Sequence, residues 1–190
     1  MKPRSNADAH DTTQKVLLGK TIPAGQTIQK DLESVIGILA GHPNTAPFIS
    51  KQLIQRLVTS NPTPAYVYRV AQKFENNGSG TRGDLSAVVR AILTDYEARS
   101  STTLTAPTFG KLREPLIRAT ALLRSFGANP ASGRYISGLA NTETALAQSA
   151  LRAPTVFNFF RPDYVLPGAL ASAGLVAPEY EITDATYAIS

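Results

Sequence analysis

The sequence predicts a mainly α-helical protein, an irregular bundle of about six short helices with long ordered loops and at most a small β-hairpin near the N-terminus. Three observations predict it. Apolar residues recur at three- and four-residue steps in successive stretches, which gathers them on one face of a helix. Most of these stretches are closed by glycine, proline or an Asn/Ser cluster, the residues that end helices and begin turns. No apolar/polar alternation is long enough for a larger sheet.

Residues 1–26 read as an extended segment, in which Lys15-Val16-Leu17-Leu18-Gly19 and Thr21-Ile22-Pro23 can form the arms of a small hairpin. Residues 27–99 read as a four-helix core. In the first helix Leu32, Val35, Ile36 and Leu39 form an apolar stripe that Gly41-His42-Pro43 stops. The second covers about residues 47–59, with Ile49, Leu53, Ile54, Leu57 and Val58 facing inward until Ser60-Asn61-Pro62 breaks the pattern. Thr63 is placed to cap the third helix, with Pro64 at its first position. Its buried face is Tyr66, Val67, Val70 and Phe74, and Asn76-Asn77-Gly78-Ser79-Gly80 ends it. Thr81-Arg82-Gly83-Asp84 has the form of a capping box for a fourth helix, whose stripe is Leu85, Val88, Val89, Ile92 and Leu93.

Residues 100–110, rich in Ser, Thr and Pro, read as a linker loop. Residues 111–190 hold a fifth helix and a loop-rich aromatic segment, expected to form one domain with 27–99. Leu112, Leu116, Ala119, Leu123 and Phe126 share a face of that helix, with Pro115 in the first turn and Gly127 at the end. A further helix is expected over 142–151, capped by Asn141 or Thr142, and an ordered loop over 153–168. Residues 182–190 have the signature of a helix start, so the chain is expected to be cut within an element.

Composition narrows the chemistry. The 190 residues, 43% hydrophobic, contain no apolar run near the roughly 20 residues that span a bilayer. The first ten residues lack the apolar run of a signal peptide. Cysteine is absent, which excludes disulfides, thiolate metal ligands and a cysteine nucleophile. Two histidines, His10 and His42, cannot make a three-imidazole site in one chain, and no phosphate-loop or dinucleotide motif appears, so no metal or other cofactor is expected. The net charge of +5 is dispersed, with no Lys/Arg run or aromatic interleaving. It reads as a solvated basic surface without a nucleic-acid partner.

His10-Asp11 is raw material for general-base catalysis, although neighbours on an extended chain point in opposite directions. His42, before Pro43, can serve as a base or satisfy the end of the first helix. A serine hydrolase would need the strained Gly-x-Ser-x-Gly turn, which is missing. Arg113-Glu114 could bind a carboxylate or phosphate, or simply pair. Asn158, Arg161, Asp163 and Tyr164 lie among Phe157, Phe159 and Phe160, a mix suited to a ligand-facing loop or to an aromatic plug that fastens the C-terminal segment. Arg82-Gly83-Asp84 reads as helix punctuation. Glu179 and Glu181, two apart, are not expected to converge as an acid/base pair.

The block His42-Pro43-Asn44-Thr45-Ala46-Pro47-Phe48-Ile49-Ser50-Lys51-Gln52-Leu53 resembles the C-terminal half of the bacterial family known as domain of unknown function number 1800. Other ordered blocks resemble it too: His10-Asp11 with Leu17-Leu18-Gly19 and Ile22-Pro23-Ala24-Gly25, Gly83-Asp84-Leu85, Lys111-Leu112-Arg113-Glu114-Pro115, Ala153-Pro154-Thr155-Val156-Phe157-Asn158-Phe159-Phe160-Arg161-Pro162-Asp163-Tyr164, and Gly174-Leu175-Val176-Ala177-Pro178-Glu179-Tyr180. The resemblance implies a mostly helical, commonly exported bacterial protein, periplasmic or extracellular when whole, with no agreed activity. It also implies a sulfatase-like exported partner and a longer parent whose N-terminal half is not in this sequence. The expected function is an interaction or scaffold module of an exported system, able to self-associate. The alternative is a hydrolase of an ester, lactone or glycan, with His10, Asp11 or His42 as base and Arg113-Glu114 as the binding region.

Overall fold

The computed structural model describes residues 9–133 and 142–183, with the side chain of Leu104 left aside. Two strands, β1 (Lys15–Leu17) and β2 (Lys20–Ile22), pair antiparallel with Lys15 opposite Ile22 and Leu17 opposite Lys20. Leu18 and Gly19 both take positive φ, 49° and 74°. That is the handedness a two-residue type I′ turn needs to match strand twist. Helices α1 (Ile28–Gly41), α2 (Thr45–Leu57), α3 (Pro64–Glu75) and α4 (Leu85–Thr94) follow, then short α5 (Tyr96–Arg99) and a 3-10 turn at Ser101–Thr105. After α6 (Pro115–Ser125) come single-turn α7 (Thr142–Leu146) and α8 (Ala169–Ser172), and a 3-10 turn at Pro178–Ile182. The protein is mainly helical, with one small hairpin.

Two compact units divide the chain. Of the described residues, one takes those up to Ser50 with Val67–Ala91, and the other takes Lys51–Tyr66 with those from Ile92 onward. The first unit buries Ile22, Ala46, Val70, Phe74 and Val88; the second buries Ile54, Tyr66, Ile92, Phe160 and Ala177.

Local chemistry explains the helix starts. The Thr27 hydroxyl accepts from the Lys30 amide at 3.2 Å and caps α1. Thr63 caps α3 by accepting from the Tyr66 amide at 3.1 Å, with Pro64 at the first helical position. The cap of α4 is Asp84, whose Oδ1 accepts from the Ala87 amide at 3.1 Å, and not Thr81. Gly83, at φ +78°, turns the chain between them, so Thr81 lies outside the first turn. Its amide is bound instead by Asn77 Oδ1 at 3.2 Å.

Several expected faces differ. In α1 only Asp31 is buried, while Leu32, Ile36 and Leu39 are 42%, 56% and 46% exposed. Leu57, Leu85, Leu93 and Phe126 also remain exposed, so the stripes of α1, α2, α4 and α6 are narrower than their periodicity suggests, while Tyr66, Val70 and Phe74 of α3 are buried as expected. The stretch 100–110 is not wholly loop, because it holds the 3-10 turn at Ser101–Thr105; Ser100 caps that turn as Asp95 caps α5 just before it, each accepting from the amide two residues on. The helix expected over 142–151 ends at Leu146. Asn141 and residues 184–190, which hold most of the expected last helix start, lie outside the described residues. Among the described residues no helix is long and apolar enough to cross a membrane.

Candidate functional site

In the second unit the end of α2, the loop at Gly110–Glu114 and the first turn of α6 enclose an open pocket of about 430 Å³. The loop is fixed by Thr59 and Ser60: Gly110 donates its amide to Thr59 Oγ1 at 3.0 Å, and its carbonyl accepts from the Ser60 amide at 2.9 Å. Gly110 holds φ +121°, a region closed to most side chains.

Arg56 comes from the last turn of α2. Its Nη2 donates to the carbonyls of Phe157 and Phe160 at 3.0 and 3.2 Å, and its guanidinium stacks 4.2 Å from the Phe160 ring centroid. Burial pulls the guanidinium down from its usual pKa, while the charges of Glu114 and Glu179 oppose that; the group stays cationic. Lys111 Nζ lies 2.9 Å from Glu179 Oε1 and donates to the Arg56 carbonyl at 2.9 Å. The Glu179 side chain is 1% exposed, and Ser60 Oγ reaches its other oxygen only at 3.5 Å. Lys111 is therefore its direct ion-pair partner, with the Arg56 charge acting on it as well. Glu114 is held from behind by Gln148, whose Nε2 donates to Glu114 Oε2 at 2.7 Å while its Oε1 accepts from the Leu116 amide at 3.1 Å. Arg113 is exposed at the rim.

The other predicted ligand residues are not gathered here. Arg161 binds Glu181, with Nε to Oε1 at 3.0 Å, so Glu179 and Glu181 serve different cations. Asn158 sits at φ +75° in a tight bridge with Thr155. Asp163 is exposed, and the Tyr164 carbonyl accepts from the Ala177 amide at 2.8 Å. Phe160, 2% exposed and under Arg56, makes this segment a packed fastening. Gln55 strengthens it by donating to the Pro162 carbonyl at 3.2 Å.

The first unit holds the predicted bases. His10 Nε2 is 3.2 Å from Asp31 Oδ2 and 3.2 Å from the Gln26 carbonyl. Lys15 Nζ joins the same Asp31 oxygen at 2.9 Å. Asp11 turns away to Thr13, accepting from its amide at 2.8 Å and its hydroxyl at 2.7 Å; the amide bond chiefly, then the hydroxyl, holds its carboxyl below the usual range. His10 and Asp11 therefore do not act on each other through a hydrogen bond. His42 is the C-cap of α1. Its amide donates to the Leu39 carbonyl at 3.2 Å and its Nδ1 accepts from the Asn44 amide at 3.2 Å. Arg82 clamps the same helix end, donating to the Ala40 and His42 carbonyls at 2.8 and 3.2 Å and pairing with Glu75. His42 is among the residues lining a mostly apolar groove of about 750 Å³, with Ile22, Pro23, Gly37 and Ile38.

Arg56, Lys111, Glu179 and Gln148 escaped the sequence reading as site residues. Lys111 and Glu179 lie in family-like blocks, the one signal that could have marked them, and nothing local marks Arg56 or Gln148. Among the described residues no group of three His, Asp or Glu side chains is placed to hold a metal ion.

These features define a mainly helical protein with a charged pocket in one unit and an apolar groove in the other. The chain belongs to the family described as Protein of unknown function (DUF1800), whose model matches residues 2–188. No curated protein and no solved structure matches it.

Proposed function

We propose that the protein is an interaction module of an exported bacterial system. The observation that carries this reading is α1. Leu32, Ile36 and Leu39, at steps of four and three residues, share one helix face and are 42%, 56% and 46% exposed. The wall of the groove beside β2 is built instead from Ser34, Gly37, Ile38 and Gly41 on a different side of α1. Val16 and Leu18 of the hairpin region are exposed as well, at 68% and 56%. Covering the three α1 side chains would contribute on the order of 3 kcal/mol. The docked surface is either a second copy of the chain or, from the family resemblance, a sulfatase-like exported protein.

Sedimentation velocity tests this. The chain alone at high concentration, or mixed with the sulfatase-like protein encoded beside a full-length relative, should sediment as a complex, and Ile36→Lys should abolish it. Strictly monomeric sedimentation in both cases counts against the reading.

A second reading is hydrolysis of an ester, lactone or glycan. His10 favours it, since an imidazole 3.2 Å from a buried carboxylate is an oriented base. On this reading a panel of chromogenic substrates is turned over, and His10→Ala removes the turnover while the fold persists.

A further inference from the structure

The pocket in the second unit carries more positive charge than its own contacts neutralise. Arg56, Lys111 and Arg113 line it against one carboxylate, Glu114. Lys111 is matched by Glu179 from behind. Arg56 gives Nη2 to two carbonyls, which satisfy the donor without cancelling the charge. Among the described residues Arg113 makes no hydrogen bond or ion pair. Two guanidiniums therefore face one carboxylate, in a concavity that partly removes Arg56 from water. Such a site gains from an oxyanion, because guanidinium forks bind carboxylate and phosphate through charge-assisted hydrogen bonds.

The rest of the lining restricts what the anion is attached to. Among the described residues only Oε2 of Glu114 receives a side-chain hydrogen bond, from Gln148, and Oε1 can accept one from a ligand. Leu57, Val58 and Ile117 supply an apolar wall for a carbon skeleton. A volume of about 430 Å³ suits a small molecule and is too small for a folded partner.

We propose that this pocket binds a small hydroxylated oxyanion of the sugar phosphate or sugar acid class, with its anionic group on Arg113 and Arg56 and a hydroxyl on Glu114. The site is separate from the α1 face and does not rest on the interaction reading.

Isothermal titration of the full chain at low salt with ribose phosphate, glucuronate and inorganic phosphate tests it. One of the two sugar ligands is expected to bind saturably and more tightly than inorganic phosphate, and which one does so distinguishes phosphoryl from carboxyl recognition. Arg113→Ala should weaken that binding about tenfold, or about 1.4 kcal/mol. Arg124→Ala, an exposed cation at the far end of α6, should leave it unchanged. Glu114→Gln, which removes both the hydroxyl's carboxylate acceptor and the charge opposing the anion, should narrow the preference for the sugar ligand over inorganic phosphate. Arg113 is exposed, so melting curves should confirm that its variant stays folded. Absence of saturable binding by all three probes overturns the proposal. So does equal weakening in Arg113→Ala and Arg124→Ala, which would mean diffuse charge attraction, or a preference for inorganic phosphate over both sugars.

Discussion

Lys111 and Glu179, 68 residues apart, meet at 2.9 Å between Nζ and Oε1 with the carboxylate almost wholly buried. The pair ties the loop before α6 to the 3-10 turn at Pro178–Ile182, and it sets the charge balance of the pocket from behind.

Removing one partner should cost more than removing both. Glu179→Gln leaves Lys111, with its side chain 12% exposed, without its counter-charge, and should destabilise the fold by about 3 kcal/mol. Replacing both residues by Met should recover much of that loss. Urea denaturation midpoints of the two variants give the comparison, and equal losses would show that the charges are not coupled.

Tyr66 is fully buried, and its hydroxyl donates to the Ile92 carbonyl at 2.6 Å. Tyr66→Phe keeps the ring and strips the carbonyl of that donor, so a loss of about 1–2 kcal/mol is expected in thermal or chemical unfolding.

Asp84 makes the acid limb of stability testable. The Asn77 side-chain amide, donating to Oδ2 at 2.8 Å, and then the Ala87 amide hold its carboxyl below the ordinary value of 3.8. A carboxylate with a depressed folded pKa contributes fully above its unfolded pKa, and the contribution disappears as pH falls through the folded pKa. Asp84→Asn should therefore destabilise at neutral pH and narrow its gap from wild type below about pH 4. Stability curves from neutral to acid pH would reveal a gap independent of pH if the cap carries no linked charge.

Much of the architecture is legible in order along the chain. Thr63-Pro64 announces α3 and Gly41-His42-Pro43 ends α1, because caps depend on neighbours in sequence, whereas the hairpin turn falls at Leu18-Gly19, inside the stretch expected to be its first arm. What periodicity cannot tell is which apolar face meets a partner. Leu32, Ile36 and Leu39 repeat like Tyr66, Val70 and Phe74, yet the first set is exposed and the second buried. The same limit hid the pocket: Arg56, Lys111 and Glu179 lie on an α2 turn, a loop and a late 3-10 turn, and long-range contacts alone unite them. His10 and Asp11, adjacent and chemically suggestive, go to different partners because a side chain's neighbours in space are not its neighbours in sequence.

The most direct test of the interaction reading is photo-crosslinking from α1. A benzophenone-bearing residue at position 36, beside Leu32 and Leu39, is compared with one at position 30, where Lys30 is exposed on a different face of the helix. Strong adducts are expected from position 36, as a chain dimer or as a conjugate with the sulfatase-like protein, and few from position 30. Equal yields from both positions, or none from position 36, would contradict it.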